Sequence, residues 1–320
     1  MGPSFPEQRW LGRDVALGLL VLFVIRVGTG FIPREMQRQW SVPIGVLAVG
    51  WLWFYPISVA RLRGVELRWP TVRNAMYEAL LAIPVLMGIW VCLAIIGSAL
   101  YWLMPSTTID DVNPFVERVV QTHDNPWLWA LLFTGVAIAP IAEELFFRGM
   151  VYRYFKQMSP TWIAVVVQAV LFGFAHTFGV FHALLASLLG VSFALVYEWR
   201  KTIVAPMSLH VLQNLIAMTM TVIIGLMAAN GPVLGVFGES ETHGCRITQV
   251  APDSSADVGG LQVGDVVFEF GGYSVADIKQ LSWVVRAKQV GERVTLKYWR
   301  GDDSRTVEIV LKKRPQRPSQ

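Results

Sequence analysis

The chain has 320 residues, of which 54% are hydrophobic and only 16% charged, with a mean hydropathy of +0.47. Soluble domains carry about 25% charged residues, so this composition predicts a polytopic membrane protein with a polar part attached. The net charge is +4, and the two cysteines, Cys92 in an apolar run and Cys245 in a polar one, are far apart. That pattern supports neither a disulfide framework nor a cysteine-based metal site, and the basic excess reads as membrane orientation rather than nucleic-acid binding.

In chain order, a polar lead with Arg9 and Arg13 precedes a first expected span at about Leu11–Ile32. Val15–Ile25 resembles a signal-peptide core, but no small-residue cleavage site follows closely, so the span is expected to be retained. Val42–Ala60 is the second span, with the aromatic cluster Trp51 to Tyr55 as a boundary marker. Arg61, Arg63, Arg68 and Arg73 lead into a third span, Ala75–Met104, which Pro84 can kink. Pro105–Pro126 is polar and acidic, with Asp110, Asp111, Glu117 and Asp124. The remaining spans are expected at Trp127–Phe155, Pro160–Phe178, Val180–Trp199 and Ile203–Ala229, about seven in all. Basic residues concentrate in alternate loops, at 61–73, 153–156 and 200–201, which places those loops and the N-terminus in the cytoplasm and the C-terminus outside. Arg34 and Arg38 run against that assignment.

From Pro232 the character changes. Cys245–Val250 alternates polar and apolar residues as a half-buried strand does, and Val266–Phe270 reaches a Gly271-Gly272 turn. Ala276–Lys288 has helical periodicity, and Arg293–Trp299 and Arg305–Leu311 read as a strand pair joined at Gly301-Asp302-Asp303. The fold class is therefore an all-α membrane domain over 1–230 plus a small α+β domain over 231–313. The basic tail 314–320 is expected to be disordered.

The chemistry gathers in Glu143-Glu144-Leu145-Phe146-Phe147-Arg148, inside an apolar helix. An ionised side chain at a membrane helix centre costs roughly 2.5–3.5 kcal/mol on insertion scales. Glu144 and Arg148 are four apart and can pair on one face. Glu143 points about 100° away and is left without a local partner. Two further spans carry unusual polar residues, His176 on the fifth and His210 with Asn214, four apart, on the seventh. The fourth and fifth spans turn near Ser159-Pro160, and Glu143 and His176 each lie roughly 25 Å along their helices from that turn, so they are level. His210 lies only about 10 Å into its helix, a difference that tilt or an extended fourth span must absorb. Ser208 reads as a helix-start serine, His123 and His243 as solvated, and His182 as an interfacial residue.

Glu143-Glu144-x-x-x-Arg148, Phe172-x-x-x-His176 and His210-x-x-x-Asn214 resemble, in order, the three motifs of the CAAX-protease and bacteriocin-processing family of intramembrane proteases, the Rce1-like or Abi proteins. The resemblance spans 127–229. It implies that Glu143 is a general base, that His176 helps position a water, that His210 and Asn214 stabilise an oxyanion, and that Glu144 and Arg148 support them, with no cofactor. Burial raises a glutamate's pKa toward neutrality, and oxyanion donors contribute about 10²–10³-fold each. The alternatives are a zinc protease using Glu143, Glu144, His176 and His210, a non-catalytic membrane scaffold, and an ion transporter. The C-terminal region resembles a bacterial-type PDZ domain through Val250 to Ala256, Gly260-Leu261, Val263 to Val267 and Gly271-Gly272. That resemblance implies a peptide or C-terminal ligand added as a strand, with Val233, Leu234, Gly235 and Val236 as the carboxylate-holding loop. The expected partners are a membrane protein or peptide substrate, the PDZ ligand and the lipid bilayer. The expected location is a bacterial inner membrane with the PDZ-like domain extracytoplasmic.

Overall fold

A computed structural model describes residues 9–30, 34–67, 71–103, 119, 126–176 and 180–313. The acidic loop after the third span, with His123, and the tail 314–320 lie outside the described residues. The chain divides into two compact units, with the break between Thr221 and Val222.

The first unit is helical. Helices α1 (Gly12–Gly30), α2 (Arg34–Arg63) and α3 (Val72–Leu103) come first, with Pro43 and Pro56 inside α2 and Pro84 inside α3. One continuous helical stretch follows, built from α4 (Pro126–Phe133), a π-helical segment at Thr134–Ile138, α5 (Ala139–Phe146), a second π-helical segment at Phe147–Tyr152, and α6 (Arg153–Met158). Then come α7 (Thr161–Phe174), α8 (Val180–Arg200) and α9 (Val204–Asn230), whose residues from Val222 onward belong to the second unit.

Among the described residues, five helices are long and apolar enough to cross a membrane: Pro43–Arg63, Arg73–Ala99, Leu128–Met158, Val180–Arg200 and Val204–Asn230. The chain is an integral membrane protein. Two of the roughly seven expected spans, α1 and α7, fall outside these five, each for a physical reason. Helix α1 carries Arg13, Asp14 and Arg26 within 19 residues. Helix α7 has 14 residues, about 21 Å of helix against a hydrocarbon core of about 30 Å.

The basic loops expected on one side do converge at one end of this unit. Arg63 pairs with Asp14 at 2.9 Å, Arg153 donates to the Glu66 carbonyl at 2.8 Å, and Arg200 grips Glu78 through two nitrogens, the closer at 2.9 Å. Lys156 and Lys201 both reach Glu198. Helices α7 and α8 are in close contact at Gly173 and Gly190. A Cβ built on Gly173 would stand 1.9 Å from Ser187 Oγ and 2.5 Å from the Ala183 carbonyl, and one on Gly190 would stand 3.1 Å from Ala169 Cα. Small residues of this kind let membrane helices approach.

The second unit contains the sheet domain. Strands β2 (Val236–Glu241), β3 (Gly244–Val250), β4 (Val266–Phe270), β6 (Arg293–Arg300) and β7 (Asp303–Val310) lie in that order, all antiparallel, with β5 (Tyr273–Ser274) beside β4. A separate pair joins β1 (Pro232–Val233) to β8 (Lys312–Lys313). Helix α10 (Ser255–Val258) is one turn, capped by Ser254, and α11 (Ile278–Arg286) is capped by Asp277. Leu281, Val284 and Val285 of α11 enter a core with Ile247, Val267, Phe270, Leu296 and Ile309. Asp265, 1% exposed, takes two hydrogen bonds from Arg300 at 2.8 Å and one from the Gln262 amide at 2.7 Å.

Candidate active site

Proline 140 shapes the site. It lacks an N–H, so it donates to no carbonyl on the preceding turn. The Ala139 amide reaches back to the Thr134 carbonyl, a π-type step. The Gly135 carbonyl is therefore left without the helical donors at positions 139 and 140. Asn214 supplies the missing bond, its Nδ2 donating to the Gly135 carbonyl at 2.9 Å. Three and four residues beyond Pro140, Glu143 and Glu144 follow on the short α-helical stretch held between two π segments, an arrangement that recurs at functional positions in helices.

The two glutamates have different surroundings. Glu144 is fully buried and accepts from Arg148 Nη1 at 2.8 Å and from His210 Nδ1 at 2.9 Å, both on Oε1. Arg148, also fully buried, lies between the rings of Phe172 (4.6 Å) and Phe193 (5.3 Å), and its Nη2 donates to the Gly190 carbonyl at 3.0 Å. Gln168 Nε2 donates to the same carbonyl at 2.9 Å. Glu143 is partly open, its side chain 19% exposed, and its Oε2 is buried with no hydrogen-bond partner. That oxygen stands 3.8 Å from His176 Nε2 and 3.8 Å from His210 Nε2.

The hydrogen bonds fix the imidazole protons. His176 Nδ1 meets the Phe172 carbonyl at 2.8 Å, and a carbonyl only accepts, so Nδ1 carries the hydrogen. His210 Nδ1 meets the Glu144 carboxylate and carries one for the same reason. In the neutral rings both Nε2 atoms are then lone pairs, so among the described residues two acceptor nitrogens face Glu143 Oε2. A separation of 3.8 Å is too long for a direct hydrogen bond and suits a bridging water. Among the described residues, no group of three His, Cys, Asp or Glu side chains is arranged to hold a metal ion. The 3.8 Å spacings exceed the ligand–ligand edge of about 3.3 Å in a zinc tetrahedron with bonds of 2.0–2.1 Å.

The structure thus brings Glu143, Glu144, Arg148, His176 and His210 together. Asn214 is one turn further along α9, tied to Gly135. The depth mismatch between Glu143 and His210 is absorbed by the fourth span, 31 residues from Leu128 to Met158, well over the roughly 20 that a membrane requires. Sequence reasoning missed Gln168, Phe193 and the Gly190 carbonyl. His182, read from the sequence as interfacial, has its ring centroid 5.9 Å from that of His176. A lone amide inside the apolar run of α7 was the available signal for Gln168. In the sheet domain, the four expected loop residues adjoin one another. Val233 ends β1, Leu234 is buried in the core, Gly235 has φ +83° with Ser254 against it, and Val236 opens β2. Their carbonyls are tied inward: Ser255 Oγ donates to Val233, the Ala256 amide to Leu234 and the Ala251 amide to Gly235.

Residues 125–216 match the family model for type II CAAX prenyl endopeptidase Rce1-like proteins, and residues 232–311 match that of the PDZ domain. The chain carries both domains. Among curated proteins, the chain is 34% identical over 89 residues to a probable periplasmic serine endoprotease DegP-like of Marinomonas, covering 28% of this chain and 19% of that one. It is 27% identical over 84 residues to the putative membrane peptidase YdiL of Bacillus subtilis, covering 26% and 34%. The chain thus spans about a fifth and a third of these relatives' lengths. Among solved structures, the serine endoprotease from Yersinia pestis overlaps 31% of this chain and 34% of its own, at 18% identity and TM-score 0.26.

Proposed function

We propose that the protein is an intramembrane endopeptidase in which Glu143 is the general base. The observation that carries this reading is the unpartnered Glu143 Oε2, 3.8 Å from two imidazole nitrogens. A water there donates to Glu143 and is oriented by His176. Glu143 takes the water's proton as its oxygen adds to the scissile carbonyl carbon. In its imidazolium form, with a proton taken from solvent onto Nε2 and kept through the cycle, His210 is anchored through Nδ1 to Glu144 and stabilises the oxyanion with the second hydrogen of Asn214 Nδ2. Collapse breaks the C–N bond, and Glu143 returns the proton to the leaving amine. Glu144 and Arg148 hold His210 in place. The family match and the peptidase named among the relatives support the same reaction class.

The substrates are membrane-associated proteins, and the PDZ domain selects or regulates them by pairing an extended segment with the free edge of β2. We assign the protein to a bacterial cytoplasmic membrane with its basic end inside. The 27 residues of α9, about 40 Å of helix, then deliver the chain to the extracytoplasmic surface. The reaction requires no cofactor.

The test is cleavage of internally quenched single-span peptides by the purified full chain, comparing wild type, Glu143→Gln and His176→Ala, with and without a strong chelator. The expected result is cleavage that survives chelation and is lost in both variants. Converging acceptors also favour a cation, so a zinc protease is the second reading. Loss on chelation and recovery with zinc would establish it in place of the glutamate base.

A further inference from the structure

Helix α11 turns its buried side to the sheet core through Leu281, Val284 and Val285. Its opposite side carries Lys279, Trp283 and Arg286, all exposed, with Trp283 67% accessible. At about 100° per residue these three fall within roughly 60° of one another. The helix has no acidic residue between Ile278 and Arg286, and no ion pair of Lys279 or Arg286 occurs among the described residues. Tryptophan flanked by cations suits neither bulk water nor a hydrocarbon interior. Its ring has an apolar body with a polar edge, and it is enriched where membrane meets water.

The second observation is where this helix lies. Helix α11 packs against β1. Strand β1 starts at Pro232, two residues after α9, the last membrane-crossing helix, ends at Asn230. Lys313, exposed, stands opposite Pro232 on β8. The cationic face is therefore built beside the point where the chain leaves the lipid.

We propose that the Lys279–Trp283–Arg286 face of the PDZ domain docks on the anionic lipid surface, with Trp283 at headgroup level and the two cations over lipid phosphates. A peptide ligand that extends the sheet pairs with β2 and does not use this outer face. The proposal stands independently of the catalytic reading, because it requires only that α9 crosses a bilayer.

The test uses the full chain in lipid nanodiscs, with a nitroxide on Ala287→Cys in a Cys92→Ser background, where Cys245 is buried. Discs of phosphatidylcholine alone are compared with discs that also contain phosphatidylglycerol. Docking predicts that the label gains oxygen accessibility and loses contact with a water-soluble nickel chelate only in the anionic discs, and that high salt reverses this. Each basic residue at an anionic surface is worth about fivefold in partitioning, so Lys279→Glu with Arg286→Glu is expected to lower the docked population at least about twenty-fivefold. A control with Arg293→Glu and Arg305→Glu, equal in charge change but elsewhere on the domain, is expected to dock as the parent does. Equal accessibility in both disc types overturns the proposal. So does equal loss in the control variant, and so does a label immobilised irrespective of lipid charge, which reports a protein partner or a second copy instead.

Discussion

At the residue scale, the adjacent glutamates are expected to fail in opposite ways. Glu143→Gln is nearly isosteric and removes a charge that has no hydrogen-bonded partner at Oε2, so thermal unfolding in detergent is expected to stay near wild type while cleavage is lost. Glu144→Gln leaves Arg148 buried without its counter-charge, and breaking a buried pair costs about 3–5 kcal/mol, so the same measurement is expected to show marked destabilisation. Cys245 gives a pH-dependent prediction. Burial, then the nearby Asp277, pushes its thiol up from 9 to about 11. The raised value stabilises the fold below pH 9, and that contribution is lost as pH rises through about 11. Alkylation of Cys245 at pH 8 is accordingly expected to wait for unfolding, as mass spectrometry of the labelled peptides can follow. The Glu144–Arg148 pair was legible because helical spacing alone brings residues four apart together. The Asn214–Gly135 bond was not, because it depends on one irregular turn, although Pro140 was present in the sequence to mark that turn.

At the element scale, α7 and α8 are held together where side chains are absent. In Gly173→Ala the new methyl must displace Ser187 Oγ and the Ala183 carbonyl, and overpacking of this kind costs about 1–3 kcal/mol. Adding Ser187→Ala is expected to recover only part of the loss, since the carbonyl remains. In the PDZ domain, Asp265→Ala removes the partner of Arg300 and the acceptor of the Gln262 amide. Arg300 is partly exposed, so the expected cost is about 2–3 kcal/mol, seen as faster hydrogen exchange across β3 and β4. The strands β3, β4, β6 and β7 were readable because alternation and glycine turns are local signals. The β1–β8 pair was not, since each strand is two residues long and its register is set by the rest of the domain.

At the scale of the whole molecule, a membrane domain and a polar domain were legible from composition alone, because burial in lipid and in water demand different residues. Length and composition mark five helices as able to cross a membrane and leave α7 outside that set, because it is helical and apolar yet short. Deleting 232–320 is expected to leave peptide cleavage measurable while changing which substrates are cut, as a comparison of product profiles can show. The π-helical segments carry a consequence for how this helix can change in length. A π turn holds one residue more than the α turn it replaces. Removing one residue from Phe147–Tyr152, Val151 for example, therefore lets that turn relax to α while the helix on either side keeps its rotational phase. The same deletion inside Ala139–Phe146 has no slack to absorb it and swings Glu143 away from both histidines. A scan of single-codon deletions along 134–152 should accordingly find tolerance in the two π stretches, except at Arg148, whose buried pair with Glu144 is lost with it, and none between them.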